Sequence, residues 1–197
     1  MATSVSPRNR RDSRLATVRP RFSSCVRQIS VPALTGYFKD TLKVKKIATA
    51  WVNNDFGKGG HGVFVEEMAK AGIEIVADVP SEQGQADFAA DISKIKESGA
   101  EAVFVYLNEE ESARALRELR KQGWTKPIVG ETTLTGQKVI ELAGDAANGA
   151  VAHVGLTVDA PLPAMRAFRA RFEKEYKYVT DHNGIKGYTG VYVLKAA

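Results

Sequence analysis

The chain has 197 residues, 44% apolar and 26% charged, the composition of a soluble globular protein of one or two modest domains with a proper buried core. No stretch approaches the roughly 18 uninterrupted apolar residues of a helical membrane span. The net charge of +5 is concentrated in residues 1 to 30, where seven arginines face one acid, Asp12; the remainder, at −1, offers no basic surface for nucleic acid or an anionic membrane.

Residues 1 to 30 contain no lysine, many serines and no apolar period of 2 or 3.6, so they are expected to be disordered on their own. The Arg-rich, Ser-rich, acid-poor bias suits an organelle transit peptide, and a basic arm gripping phosphate is a second reading. An export signal would need an apolar core of about 7 to 15 residues, which is missing. The preferred reading is that this tail is not native to the domain, through a wrong start or a shifted reading frame. The single cysteine, Cys25, lies in it, which excludes a disulfide framework or a thiol metal cluster within the chain.

From Val31 onward strand and helix patterns alternate. Pro32 to Leu42 reads as a helix and KVKKIATAWV as a strand with a buried apolar end. A glycine-rich loop leads into a helix from about Gly60 to Lys70, with Phe64 and Met68 on one face and Gly72 as its stop. IEIVADV is a second strand, Asp87 to Ser98 a helix with Phe88, Ile92 and Ile95 inward, and EAVFVYL a third strand, apolar nearly throughout. A helix from about Glu110 to Gln122 turns Ala113, Leu116 and Leu119 inward; KPIVGE, TGQKVIELAG and GAVAHVGL follow as strand, helix and strand. Such alternation with short connections predicts an α/β fold built on a doubly wound parallel sheet. Ligands of such sheets sit at the carboxyl ends of the strands, which singles out 53–57, 79–83, 107–110, 131–134 and 156–159. After Asp159 the pattern changes to an amphipathic helix carrying Met165, Phe168 and Phe172, then a second helix running to Ala197. Three segments are therefore expected: 1–30 a tail, 31–158 an α/β ligand-binding lobe, and 159–197 C-terminal helices that end in mid-pattern, as in a truncated chain.

Within GKGGHG, the spacing Gly57-x-Gly59-x-x-Gly62 is that of a dinucleotide-binding turn, and Asp78 stands where a ribose would be held. The four residues NNDF between Val52 and Gly57 argue against it, because they carry the glycines off the strand end and put Asp55 where phosphate would lie. Tight packing of strand on helix explains the glycines equally well. His61, His153 and His182 occur in unrelated settings without a catalytic spacing, so no enzyme, cofactor or metal is expected. An NAD-linked enzyme using Gly57, Gly59 and Gly62 is kept as the alternative, beside a ligand-sensing lobe of a regulator.

The stretch KKIATAWVNNDFGKGGHGVFVEEMAKAGIEIV, followed by GQADFAADISKIKESGAEAVFVYLNEEESARALRELRKQG, resembles the second lobe of type I periplasmic solute-binding proteins of ABC transporters, the branched-chain amino acid and amide group. The likeness runs from about Lys43 to Leu156, and GYTGVYVL resembles a later helix of the same family. The resemblance implies a two-lobed clamp whose first lobe is missing here, a small amino acid, carboxylate or amide as ligand, an ABC permease as partner and a periplasmic location. With no export signal, the product as written would stay in the cytoplasm. A lone lobe would also expose surfaces on which a second copy can pair.

The resemblance carries site residues as well. Phe56 would pack on the ligand, and Asp55 would orient the loop or accept a hydrogen bond. Asn108 stands where an aromatic often follows the third strand, which exchanges stacking for hydrogen bonding. The carboxylate that pairs with an amino-acid ammonium falls on Thr132, with Glu131 one residue early. Either Glu131 turns inward, or the ligand is not an α-amino acid and a carboxylate, amide or aromatic acid takes its place.

Overall fold

The computed structural model describes residues 30–155 and 157–196. The expectations for residues 1 to 29, Cys25 among them, lie outside the described residues. Five strands form one parallel sheet in the order β2-β1-β3-β4-β5, comprising β1 (Lys46–Val52), β2 (Glu74–Ser81), β3 (Ala102–Tyr106), β4 (Ile128–Gly130) and β5 (Ala150–Ala152). The expected doubly wound parallel sheet is therefore what the chain adopts. Because β2 lies on one side of β1 and β3 on the other, the winding reverses between β1 and β3, and a crevice opens at their carboxyl ends.

Side-chain alternation along β1 explains the two helical layers. Ala48, Ala50 and Val52 face a core built with α3 (Ala89–Glu97), α4 (Glu109–Lys121) and α5 (Gln137–Ala143). Ile47 faces the other core, where α1 (Val31–Gly36, continued by a wider turn, Tyr37–Thr41) and α2 (Asp55–Ala71) supply Leu34, Phe38, Phe64 and Met68. Phe64 stacks on Phe104 at 4.0 Å, and Phe38 meets both edge-on at 6.0 and 6.5 Å. Pairs of this kind contribute about 0.5–1.5 kcal/mol each beyond the area they bury. All of β3 is buried, from Ala102 to Tyr106, as its unbroken apolar run requires.

The largest departure from the sequence expectation is at the glycines. Helix α2 begins at Asp55, five residues before the expected Gly60, and its first turn grows directly out of the end of β1. Asn54, in extended conformation at φ −135°, is the cap; its side-chain oxygen accepts the Gly57 N–H at 2.9 Å. NNDF is therefore not an insertion that carries the glycines off the strand. A Cβ at Gly57 would overlap the Val52 carbonyl oxygen, and one at Gly60 would overlap the Tyr106 ring. Gly59 and Gly62, by contrast, have open space around them.

Beyond β5 the chain forms α6 (Pro163–Tyr176) and α7 (His182–Ala196). They meet through Phe168 on Tyr188 at 4.8 Å and leave between them a groove of about 550 Å³, into which Met165, Phe168 and Phe172 face. The far turns of α7 turn Val191, Tyr192, Val193 and Leu194 to the outside.

The glycine geometry yields a test. Gly57→Ala should lower unfolding stability by about 1–3 kcal/mol, because the obstacle is backbone that cannot rotate away. Gly59→Ala and Gly62→Ala should each raise it by up to about 1 kcal/mol through helix propensity. Urea unfolding followed by circular dichroism measures all three, and equal effects at 57 and 59 would contradict the close approach.

Candidate functional site

At the carboxyl end of β1, two asparagines lock one loop to the next. Asn53 Nδ2 donates to Glu82 Oε1 at 3.0 Å and Asn54 Nδ2 donates to Gln83 Oε1 at 3.2 Å, while the Asn53 N–H bonds the Ser81 carbonyl at 2.8 Å. On this braced turn Phe56 is 40% exposed, and its ring stacks on Tyr106 at 4.6 Å with 27° between the planes. Tyr106, the last residue of β3, is buried and lies over Gly60, which is why the helix can come so close. Burial pushes its phenol well above the ordinary tyrosine range, and the charge of Glu131 pushes it the same way, so it stays protonated. Sequence reading missed Tyr106 because it looked for an aromatic two residues later.

Asp55 is exposed in the first turn of α2 and makes no side-chain hydrogen bond among the described residues. Its charge complements the helix dipole, but Asn54 rather than Asp55 orients the loop. Asn108 is half-buried at the start of α4; its Nδ2 donates to Glu111 Oε1 at 3.2 Å, the oxygen that also accepts the Gly84 N–H at 2.6 Å. It thus ties the β3 turn to the β2 loop, beside an open hollow of about 510 Å³ shared with Thr133 and Lys138.

Glu131 caps the short turn Thr132–Thr135. Its Oε2 accepts both the N–H and the hydroxyl of Thr133, at 3.0 and 2.9 Å, and its other oxygen makes no hydrogen bond among the described residues. Thr132 is buried, and its hydroxyl donates to the His153 carbonyl at 3.0 Å, joining the turn after β4 to the end of β5. Thr132 thus braces the turn, while Glu131 keeps one carboxylate oxygen without a hydrogen bond among the described residues.

The start of α7 comes to the same side, which sequence reading did not foresee. Asn183 Nδ2 donates to Glu109 Oε1 at 3.1 Å. His182, 6% exposed, has no partner for its Nδ1; burial, then Lys186, lowers its proton affinity, against the pull of Asp181, Glu131 and Glu109. The signal was a polar run, DHN, at the head of an apolar helix.

The nucleotide alternative loses its acid. Asp78 Oδ1 accepts from Thr49 Oγ1 at 2.8 Å and Trp51 Nε1 at 2.7 Å and pairs with His61 Nε2 at 2.9 Å, while His61 stacks on Trp51 at 4.2 Å. It is a structural bracket on the helix α2 side of β1 and β2, and the glycines of the pattern lie within the helix. Among the described residues no group of three His, Cys, Asp or Glu side chains could hold a metal, and no helix is long and apolar enough to cross a membrane.

Comparison with known proteins adds a likeness at each level. Residues 23–197 match the family model described as periplasmic binding protein. An amino acid binding protein of Pseudomonas aeruginosa is 27% identical over 124 residues, which are 62% of this chain and 33% of that protein. A Leu/Ile/Val-binding protein homolog of Brucella melitensis is 28% identical over 116 residues, 59% of this chain and 32% of that one. The chain thus spans about a third of the curated relatives it matches. Among solved structures, the branched-chain amino acid transporter substrate-binding protein LivJ of Streptococcus pneumoniae, in complex with isoleucine, superposes with a TM-score of 0.76 at 24% identity, covering 85% of this chain and 48% of that one. A solute-binding protein of R. palustris in complex with benzoate gives 0.75 at 19% identity, over 85% and 45%.

His182 gives the site a pH signature. The fold favours its neutral form, so the stability it lends is fully present above the ordinary imidazole value of 6.5 and is lost as pH falls below it. Hydrogen exchange at the start of α7 should therefore lose protection as pH falls below 6.5, after correction for intrinsic rates, and His182→Gln should flatten that dependence. Equal protection across the range in the parent chain would contradict the assignment.

Proposed function

This chain belongs to the periplasmic binding protein family, and on that premise we propose that it carries a ligand-contacting lobe of the solute-binding component of an ABC importer. The substrate is a small amino acid, or a related carboxylate or amide, and the partner is the importer's permease on the periplasmic side of the membrane. Proteins of this family bind solutes for transport rather than transform them. The observation that carries the reading is Phe56: an exposed aromatic, stacked on buried Tyr106, at the crevice where the strand order reverses. Its ring offers an apolar floor to a ligand body.

Glu131 refines the ligand class. Its free carboxylate oxygen suits an ammonium or an amide N–H, which revives the amino-acid option that Thr132 alone would have closed. Glu109, Glu110 and Glu111 add negative charge at the head of α4, balanced on that flank by Lys138, which pairs with Glu110 at 2.9 Å. Two structures of similar fold, one in complex with isoleucine and one with benzoate, bracket the range to be tried.

Calorimetric titration with L-isoleucine, isobutyramide and benzoate tests the reading. At least one should give saturable heat, and Phe56→Ala should weaken it about tenfold, the worth of one aromatic contact. Glu131→Gln should weaken isoleucine far more than benzoate. If neither substitution changes any affinity, the ligand surface lies elsewhere on the lobe.

A further inference from the structure

Helices α6 and α7 form an antiparallel hairpin joined by residues 177–181: Phe172 lies against Gly184 and, one turn back along α6, Phe168 meets Tyr188 at 4.8 Å. The hairpin does not bury its own apolar surface. None of α6 is buried, and of α7 only His182 and Ile185 are. The stretch GYTGVYVL, from Gly187 to Leu194, carries no charge on any side, and a helix of that kind belongs inside a core. Tyr176, Tyr188, Val191, Tyr192, Val193 and Leu194 are instead between 41 and 79% exposed. With about 150–250 Å² on each aromatic side chain, these six leave open on the order of 600 Å², the upper end of what a monomer exposes in one patch and close to the roughly 800 Å² each partner gives to a standard interface.

Charge decides what can cover this face. Arg171 and Glu175, one turn apart on α6, both line the groove between the helices. They form no ion pair among the described residues, whereas Arg169 is held by Asp159 and Glu173 at 2.8 Å each. A cation and an anion one turn apart are self-complementary. A two-fold axis passing between them sets Arg171 of each copy against Glu175 of the other. An acidic peptide or an anionic lipid surface would satisfy Arg171 and press like charge on Glu175. The apolar positions fit the same arrangement: Met165, Phe168 and Phe172 on α6, and Ile185, Tyr188 and Tyr192 on α7, recur at three and four, the seam spacing of bundled helices.

We propose that the α6–α7 face is an interface between two copies of this chain, in which the two hairpins pack about a two-fold axis as a four-helix bundle and close the groove. The same surface serves both copies, so assembly stops at the dimer. The proposal does not depend on the transport reading.

Sedimentation equilibrium of the full chain from about 2 to 200 µM is the test, a range that brackets a micromolar dissociation constant. The parent chain should pass from monomer to dimer and go no further. Tyr192→Asp, at an exposed position, should weaken dimerisation about tenfold or more without changing the circular dichroism spectrum, and Leu142→Asp, exposed on α5, should leave it unchanged. Arg171→Glu and Glu175→Arg should each weaken the dimer, and the two together should restore it, since the double reversal re-forms the pair across the axis. A chain that stays monomeric throughout would overturn the proposal, whether or not it then binds anionic vesicles or an added acidic peptide. Open-ended assembly, a dimer indifferent to Tyr192→Asp, or a double reversal no better than the single ones would overturn it too.

Discussion

The structure turns on how closely the first turn of α2 is pressed against the ends of β1 and β3. Only a residue without a side chain fits at 57, where the Val52 carbonyl stands, and at 60, where the Tyr106 ring stands. A helix with four glycines in its first eight residues is poor on propensity, each costing about 1 kcal/mol relative to alanine. Tertiary contact compensates: Asn54 caps the turn, Gly57 and Gly60 admit the neighbouring strands, and the turn then holds Phe56 flat against Tyr106. Without the close approach, Phe56 would be an ordinary exposed aromatic; with it, the ring has a fixed place and a rigid backing.

Much of the fold was legible because the pattern is redundant. Each strand is an apolar run closed by a helix whose inward residues recur at three or four, and strict alternation with short connections points to a parallel α/β sheet. What failed was local. Propensity places Gly57 and Gly59 in a loop, whereas the decisive residue is Asn54, a helix cap that the glycine motif reads as part of an insertion. Asp78 matched a ribose-binding interval by count alone; its oxygen is occupied by Thr49, Trp51 and His61, a fact that no spacing reveals.

The site was half legible. Phe56 and Glu131 stand at strand ends, where topology directs attention, and the structure leaves each with something to offer. Asn108 and Thr132 stand at equivalent ends, but Asn108 donates to Glu111 in the helix that follows it and Thr132 to the backbone at the end of β5. A linear reading cannot tell a polar group that faces outward from one that braces the turn, since both need the same residue types. His182 and Asn183 were out of reach for a different reason: they arrive from more than forty residues beyond the other site loops, and only the packing of α7 brings them in.

The bracket on the α2 side of β1 has an optical use. The chain contains two tryptophans, and they occupy unlike settings: Trp124 is 4% exposed in the core, while Trp51 lies partly open with His61 stacked 4.2 Å from its ring. An indole in face contact with an imidazole emits differently when that imidazole slides away. His61 rides on α2, the same helix whose first turn holds Phe56. The emission of Trp51 therefore serves as a built-in gauge of where α2 sits, readable without any label.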